Sequence, residues 1–318
     1  MTRICSSGVD LDLSPTAFGE LNDSSALISD PGALRHTMNA QGYLLLRGLI
    51  DPNLIAQARE EILLKYAIIG EISQNHPYEQ AIYNADNALR EVNLRAFTQS
   101  VRDGQAYRNV VLADSLLNIH QHLLGGEVRA FDFRWPRLAR PGEGCGIHCD
   151  GPYMNRATED IYSSWIPLGT IDRHEGALMV LERGPDHRKW LGSYLERDAD
   201  RDNLEWLSTD PEQLRSSVNA RWLSTDFKPG DVLCFRMDTV HAALDNMSET
   251  GRCRLSSDSR YQLAAEPADT RWNGENPEAH GHDKVFFPGL GNWNNANFQD
   301  EWKTVDRNGR LVLDEQSE

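Results

Sequence analysis

Residues 252–263, Arg-Cys-Arg-Leu-Ser-Ser-Asp-Ser-Arg-Tyr-Gln-Leu, read as a β-strand with an unusual face. Side chains two apart share one side of an extended chain. Arg254, Ser256, Asp258 and Arg260 therefore line up together. Such a row turned inward needs an anionic partner or internal pairing, because a buried charge is costly without one. An Arg and a Ser two apart can grip a carboxylate, the guanidinium in bidentate fashion and the hydroxyl as a second donor. The same row turned outward would need only an Arg254–Asp258 pair, and this strand alone leaves the two readings level.

Upstream, short runs of strand length alternate with Gly, Pro, Asp and Asn: VRAFDFRW (128–135), IYSSWIPL (161–168), GALMVLE (176–182) and DVLCFRM (231–237). That rhythm predicts a sandwich or barrel from Glu127 onward, preceded by a helical N-terminal portion. The first 30 residues read as an irregular polar lead-in and Ala33–Asn39 as a short helix. Gly42 opens the strand-length run GYLLLRGLI, and Asp51-Pro52 caps a helix whose apolar residues Leu54, Ile55, Ala58, Ile62 and Leu63 keep helical spacing. Residues 70–106 show no clean period and read as a long loop; Val110–Leu124 reads as one helix closed by Gly125-Gly126. The charged, Trp-containing stretch 188–225 reads as a lid-like insertion, and 266–318 as a polar tail. The expectation is one domain over 1–318: an N-terminal portion to about 126, a β core over about 127–265 and the tail.

The chain has 318 residues, 40% of them hydrophobic, enough for a sizeable core. Its net charge of −16 disfavours nucleic acid and anionic membrane surfaces as partners, without excluding a local cationic pocket. The N-terminus lacks the apolar stretch of a secretory signal, and no run is long enough to span a bilayer. Five scattered cysteines with no CxxC pair indicate reduced thiols, and a cytoplasmic location is expected. Oligomeric state is not readable from these features.

Residues 146–153, GIHCDGPY, carry the candidate chemistry. His148 and Asp150 are two apart, so an extended strand would aim both at one ion while Cys149 faces away. A third ligand from elsewhere would complete a facial triad of two His and one carboxylate, which leaves open positions on Fe(II) for oxygen chemistry. His241 suits this role, just past the strand Val232–Met237 that follows the turn Lys228-Pro-Gly-Asp231. His174, His187, His280 and His282 lie in charged or polar loops and fit less well.

The order His-x-Asp, strand-end His, Arg-x-Ser resembles the Fe(II)/2-oxoglutarate oxygenases of the double-stranded β-helix fold, and more narrowly the phytanoyl-CoA dioxygenase family. GYLLLRGLIDPNLIAQAREEIL, GIHCDG, Trp165 with Gly176-Ala-Leu, FKPGDVLCF with His241 and Asn246, and RLSSDSRYQ carry the resemblance, over roughly residues 40 to 262. Arg183-Gly-Pro-Asp-His187 departs from the family's usual Pro-Gly-Ser-His turn.

The resemblance implies a mainly β fold with flanking helices around a jelly-roll, cupin-like core. It implies Fe(II) held by His148, Asp150 and His241, with 2-oxoglutarate and O2 as cosubstrates. Arg254 and Ser256 would bind the distal carboxylate of 2-oxoglutarate beside Trp165. Counting on from His241 would choose Arg252 instead; counting back from Tyr261 chooses Arg254. Tyr153, Asn155 and Arg137 are candidates to touch a small-molecule substrate. The expected reaction is hydroxylation, or another oxidation, of an unactivated C–H bond with release of succinate and CO2. The intact Asp150 speaks against halogenation. The alternatives are an oxygen-independent cupin-type isomerase or lyase and a small-molecule-binding barrel.

Overall fold

The computed structural model describes residues 3–85, 94–202, 204–275 and 277, with the backbone of 303–305 and 311–313. Three short strands open the chain, β1 (Cys5–Ser6), β2 (Val9–Asp10) and β3 (Phe18–Glu20). Then come helix α1 (Pro31–Gln41), β4 (Tyr43–Leu46) and α2 (Pro52–Ile68). Next are α3 (Leu94–Arg102), α4 (Gln105–Val111) and α5 (Asp114–Leu124). The β region holds β5 (Val128–Ala130), β6 (Trp135–Ala139), β7 (Cys145–His148), β8 (Ile161–Pro167) and β9 (Leu178–Leu181). Helices α6 (His187–Leu195) and α7 (Pro211–Ser217) follow, then β10 (Trp222–Ser224), β11 (Val232–Arg236), β12 (His241–Ala243) and β13 (Arg254–Leu263). A hairpin pairs β14 (Lys303–Val305) with β15 (Leu311–Leu313).

Local chemistry sets the helix ends. Asp30 and Asp51 cap α1 and α2 by accepting from Ala33 N and Asn53 N, each with proline at the first helical position. Gly42 and Gly125 end α1 and α5 at φ +83° and +79°, a backbone conformation that suits glycine.

Two sheets make the jelly-roll core. One has the order β3-β10-β9-β12-β7; the other runs β4-β11-β8-β13-β5, with β6 also paired to β13. Tyr43 and Leu45 of β4 join Leu233 and Phe235 of β11 in a core shared with Ile147, Val180, Trp222 and Ala242 of the facing sheet. Leu44, Leu46, Val232 and Cys234 point the other way, into a second core against α1, α2, α4 and α5. Burial on both faces explains why β4 is an unbroken apolar run.

The structure corrects several boundaries. Phe18–Glu20 in the supposed lead-in is an edge strand, parallel to β10. Residues 70–106 contain α3 and the start of α4, whose Phe97, Val101 and Tyr107 sit in the second core; that face was hidden by the polar residues between them. Val110–Leu124 is two helices, because Ala113 takes an extended ψ of 133° and breaks the run. The stretch 188–225 is only partly an excursion, since its Trp222–Ser224 forms β10, an interior strand paired on both sides. Most of the expected tail lies outside the described residues.

Candidate metal centre

His148 is the last residue of β7 and His241 the first of β12, and the two stand opposite one another in the antiparallel register. Their ring centroids are 4.3 Å apart. Each imidazole makes the same local bond: Nδ1 of His148 donates to Gly146 O at 2.8 Å, and Nδ1 of His241 to Thr239 O at 2.9 Å. A carbonyl only accepts, so each Nδ1 carries the proton and each Nε2 presents a bare lone pair.

Asp150 reaches the same point by a route different from the expected one. The strand ends at His148, and Asp150 has helical angles (φ −75°, ψ −18°) as it enters the turn Gly151–Tyr153. Its carboxylate swings back nonetheless, with Oδ1 3.8 Å from His148 Nε2. The other oxygen, Oδ2, accepts from Ser163 Oγ at 2.5 Å and from an Arg260 terminal nitrogen at 2.9 Å. Burial opposes ionisation of Asp150, but Arg260, the two imidazoles and Ser163 outweigh it and hold the carboxyl well below the usual range. Burial, with His241 adding to it, pushes His148 down to about 3. One ligand atom from each of the three residues lies within 4.8 Å of the other two. Two neutral nitrogens and one carboxylate oxygen suit a divalent first-row metal.

Arg254 and Ser256 lie on the inner face of β13, and both are buried. An Arg254 terminal nitrogen donates to Ser256 Oγ at 2.5 Å, while its Nε has no partner. Asp258 is taken by Arg137, so the Arg254–Asp258 pair of the outward reading does not form. Burial lowers Arg254 to about 10, the response of a cation short of a counter-charge. Arg252 is spent on Glu175. Trp165 is opposite Asp258 in the β8–β13 register and packs edge-on to Phe227.

Of the candidate substrate contacts, Tyr153 sets its ring edge-on to His148 with centroids 6.0 Å apart. Arg137 faces inward through Asp258. Asn155 is not brought to the cluster: it is exposed and donates to Arg197 O at 2.8 Å, because the chain has turned outward after Tyr153.

Four neighbours escaped the sequence reading. Arg260 stood in the Arg-Ser-Asp-Arg row without a role, and Ser163 was one polar residue within an apolar strand. Trp135 lies under the Arg260 guanidinium, 4.0 Å from ring centroid to Cζ. Trp206, from the excursion between β9 and β10, packs on His148 with centroids 5.4 Å apart. There Leu207 N donates to Ile147 O at 2.8 Å, so the excursion docks along the edge of the metal strand.

The comparisons agree with this architecture. The chain belongs to the phytanoyl-CoA dioxygenase family, whose model matches residues 38–253. It is therefore an oxygenase of the iron- and 2-oxoglutarate-dependent kind. It is 24% identical over 256 residues to a 1-deoxypentalenic acid 11-beta-hydroxylase of Streptomyces arenae, covering 78% of this chain and 87% of that one. The Streptomyces exfoliatus enzyme of the same name is 24% identical over 251 residues, covering 76% and 85%. Among solved structures, iron-bound EctD from S. alaskensis superposes with a TM-score of 0.53 at 16% identity, covering 85% of this chain and 89% of that one. The carbocyclase SnoK of nogalamycin biosynthesis superposes at 0.51 and 16%, covering 85% and 95%. These two share the fold.

Proposed function

We propose that this protein is an Fe(II)- and 2-oxoglutarate-dependent dioxygenase that hydroxylates an unactivated C–H bond of a small organic molecule. The observation that carries the proposal is the convergence of one ligand atom each from His148, Asp150 and His241 within 4.8 Å, with each imidazole Nδ1 bonded to a backbone carbonyl. When bound, the iron would supply oxygen activation coupled to decarboxylation of 2-oxoglutarate: one oxygen atom goes to succinate, the other to the product, and CO2 leaves.

The chain's own residues do the rest. His148, His241 and Asp150 would ligate through three atoms and leave the remaining positions to the cosubstrates. Ser163 and Arg260 occupy Asp150 Oδ2, which favours ligation by Oδ1 alone. Arg254 and Ser256 would take the distal carboxylate of 2-oxoglutarate. The buried Arg254 Nε without a partner supports this assignment, and an oxygen-independent cupin enzyme would have no use for such a group. Trp206 and Tyr153 flank His148 and would exclude water from that side. The hydroxylase relatives favour hydroxylation over other outcomes of the same chemistry.

The test is a substrate screen that reads succinate under air with iron, 2-oxoglutarate and ascorbate, preceded by anaerobic iron titration. Stoichiometric iron binding and substrate-stimulated succinate are expected. A protein that binds no iron, or turns over without consuming oxygen, would refute the proposal.

A further inference from the structure

We infer that Arg137 is a positioning residue for the cosubstrate: by holding the Asp258 carboxylate, it keeps Arg254 free for the distal carboxylate of 2-oxoglutarate. The inference rests on the function proposed above and adds to that site a residue that acts through another.

The arrangement follows from the strand register. Arg137 of β6 stands opposite Ser256 of β13. Its diagonal neighbours on that face are therefore Arg254 and Asp258, both within reach of a long side chain. It takes Asp258, donating through Nε to Oδ2. Arg254 extends along β13 toward the same carboxylate, since its terminal nitrogen donates to Ser256 Oγ at 2.5 Å, midway between the two residues. One carboxylate thus has two guanidiniums near it and is paired with only one of them.

The charges define the competing arrangement. Burial is the largest influence on Arg254 and lowers it; next comes the Asp258 charge, which favours the protonated form, and then Arg137, which opposes it. Asp258 therefore attracts Arg254 without being bound to it. The carboxylates of Glu175 and Glu143 are engaged elsewhere, by Arg252 and Arg140. With Arg137 gone, Asp258 is the described carboxylate best placed to close on Arg254, because a buried cation and a released anion both gain by pairing. Such a pair would occupy the cosubstrate arginine from within. 2-Oxoglutarate would have to break it, and would then set its own negative charge beside a second one.

The arrangement also allows a clean test. Arg137 keeps 30% of its side-chain surface open and Asp258 10%, so the pair is not sealed in the wall, and both charges can be removed together. Affinity for 2-oxoglutarate is measured by calorimetry under nitrogen on Ni(II)-loaded protein. Arg137→Met should weaken it by about tenfold or more, the scale of stranding one partner of a charge pair. Asp258→Asn alone should bind 2-oxoglutarate as tightly as the unaltered protein or more tightly. The double variant, Arg137→Met with Asp258→Asn, should recover to within about threefold of the unaltered protein, because no carboxylate is left to close on Arg254. A merely structural role for Arg137 would give no such recovery.

Undiminished affinity in Arg137→Met would overturn the inference. So would a double variant as weak as Arg137→Met, which would mean that Arg137 touches the cosubstrate itself. Should Arg137→Met fail to fold, the double variant and Asp258→Asn decide: a loss beyond about threefold in either overturns the inference, and retained affinity in both supports it. Failure of the unaltered protein to bind Ni(II) or 2-oxoglutarate is read separately, and would sink the proposed function and this inference together.

Discussion

The indole of Trp206 occupies the space that a side chain on Gly146 would need: a Cβ there would come within 2.4 Å of the ring. The excursion between β9 and β10 thus closes over the metal strand at a point that only glycine allows. Gly146→Ala should force the indole off His148 and loosen the excursion, costing about 1–3 kcal/mol as an overpacked site does. Limited proteolysis should then cut faster near residues 196–210, and substrate KM should rise more than kcat falls. Unchanged proteolysis would show that the contact does not anchor the excursion.

Ser163→Ala removes one of the two donors on Asp150 Oδ2. Loss of a hydrogen bond to a buried carboxylate should cost about 1.5–3 kcal/mol of stability. Weaker orientation of the ligand should raise the dissociation constant for Ni(II) by about tenfold or more. Titration against a competing chelator measures it; an unaltered constant would show that Arg260 suffices to hold the carboxylate.

Arg254→Met and Arg252→Met separate the two candidates for the 2-oxoglutarate arginine. The first should weaken 2-oxoglutarate by about 30-fold or more, the scale for removing one partner of a buried charge pair, and leave Ni(II) binding intact. The second breaks only the partly exposed Arg252–Glu175 pair and should change 2-oxoglutarate affinity by less than about threefold. The reverse pattern would reassign the role.

His120 should make the protein acid-sensitive. It is fully buried, bonded to Ser164 Oγ and stacked on Tyr261, and burial pushes it down to about 3. The unfolded chain takes up a proton at about 6.5, which the folded chain refuses until near pH 3. The neutral ring's contribution is fully present above pH 6.5 and is lost as pH falls toward 3, by about 1.4 kcal/mol per pH unit. Urea unfolding at pH 7.5 and pH 5 should differ by about 2 kcal/mol from this residue alone. In His120→Gln that part of the difference should disappear; an unchanged pH dependence would place the acid sensitivity elsewhere.

The legible parts of this protein were those written locally. The Arg-Ser-Asp-Arg row on β13 needs only a two-residue period, and Asp51 with Pro52 announces its helix from the next residues along. What escaped depends on partners far away in sequence. Ser163 and Arg260 acquire their common target because β8 and β13 pair them directly. Trp222–Ser224 looked like part of a charged excursion because its neighbours in sequence are polar, whereas its neighbours in space are Phe18 and Leu181. Asp150 sits beside His148 although the strand that was meant to align them has already ended.

Strands β9 and β10 lie side by side and antiparallel, with Leu181 opposite Trp222, so the chain leaves and re-enters the barrel at nearly the same place. Everything between those two residues enters and leaves at one corner of the scaffold, like a cassette, and docks back on the metal strand through Trp206 and Leu207. Evolution, or an engineer, can exchange that cassette without moving His148, Asp150 or His241, because the cost of closing a loop grows only slowly with its length. A new clientele of molecules could be recruited to the same oxidising centre by replacing one contiguous stretch of gene.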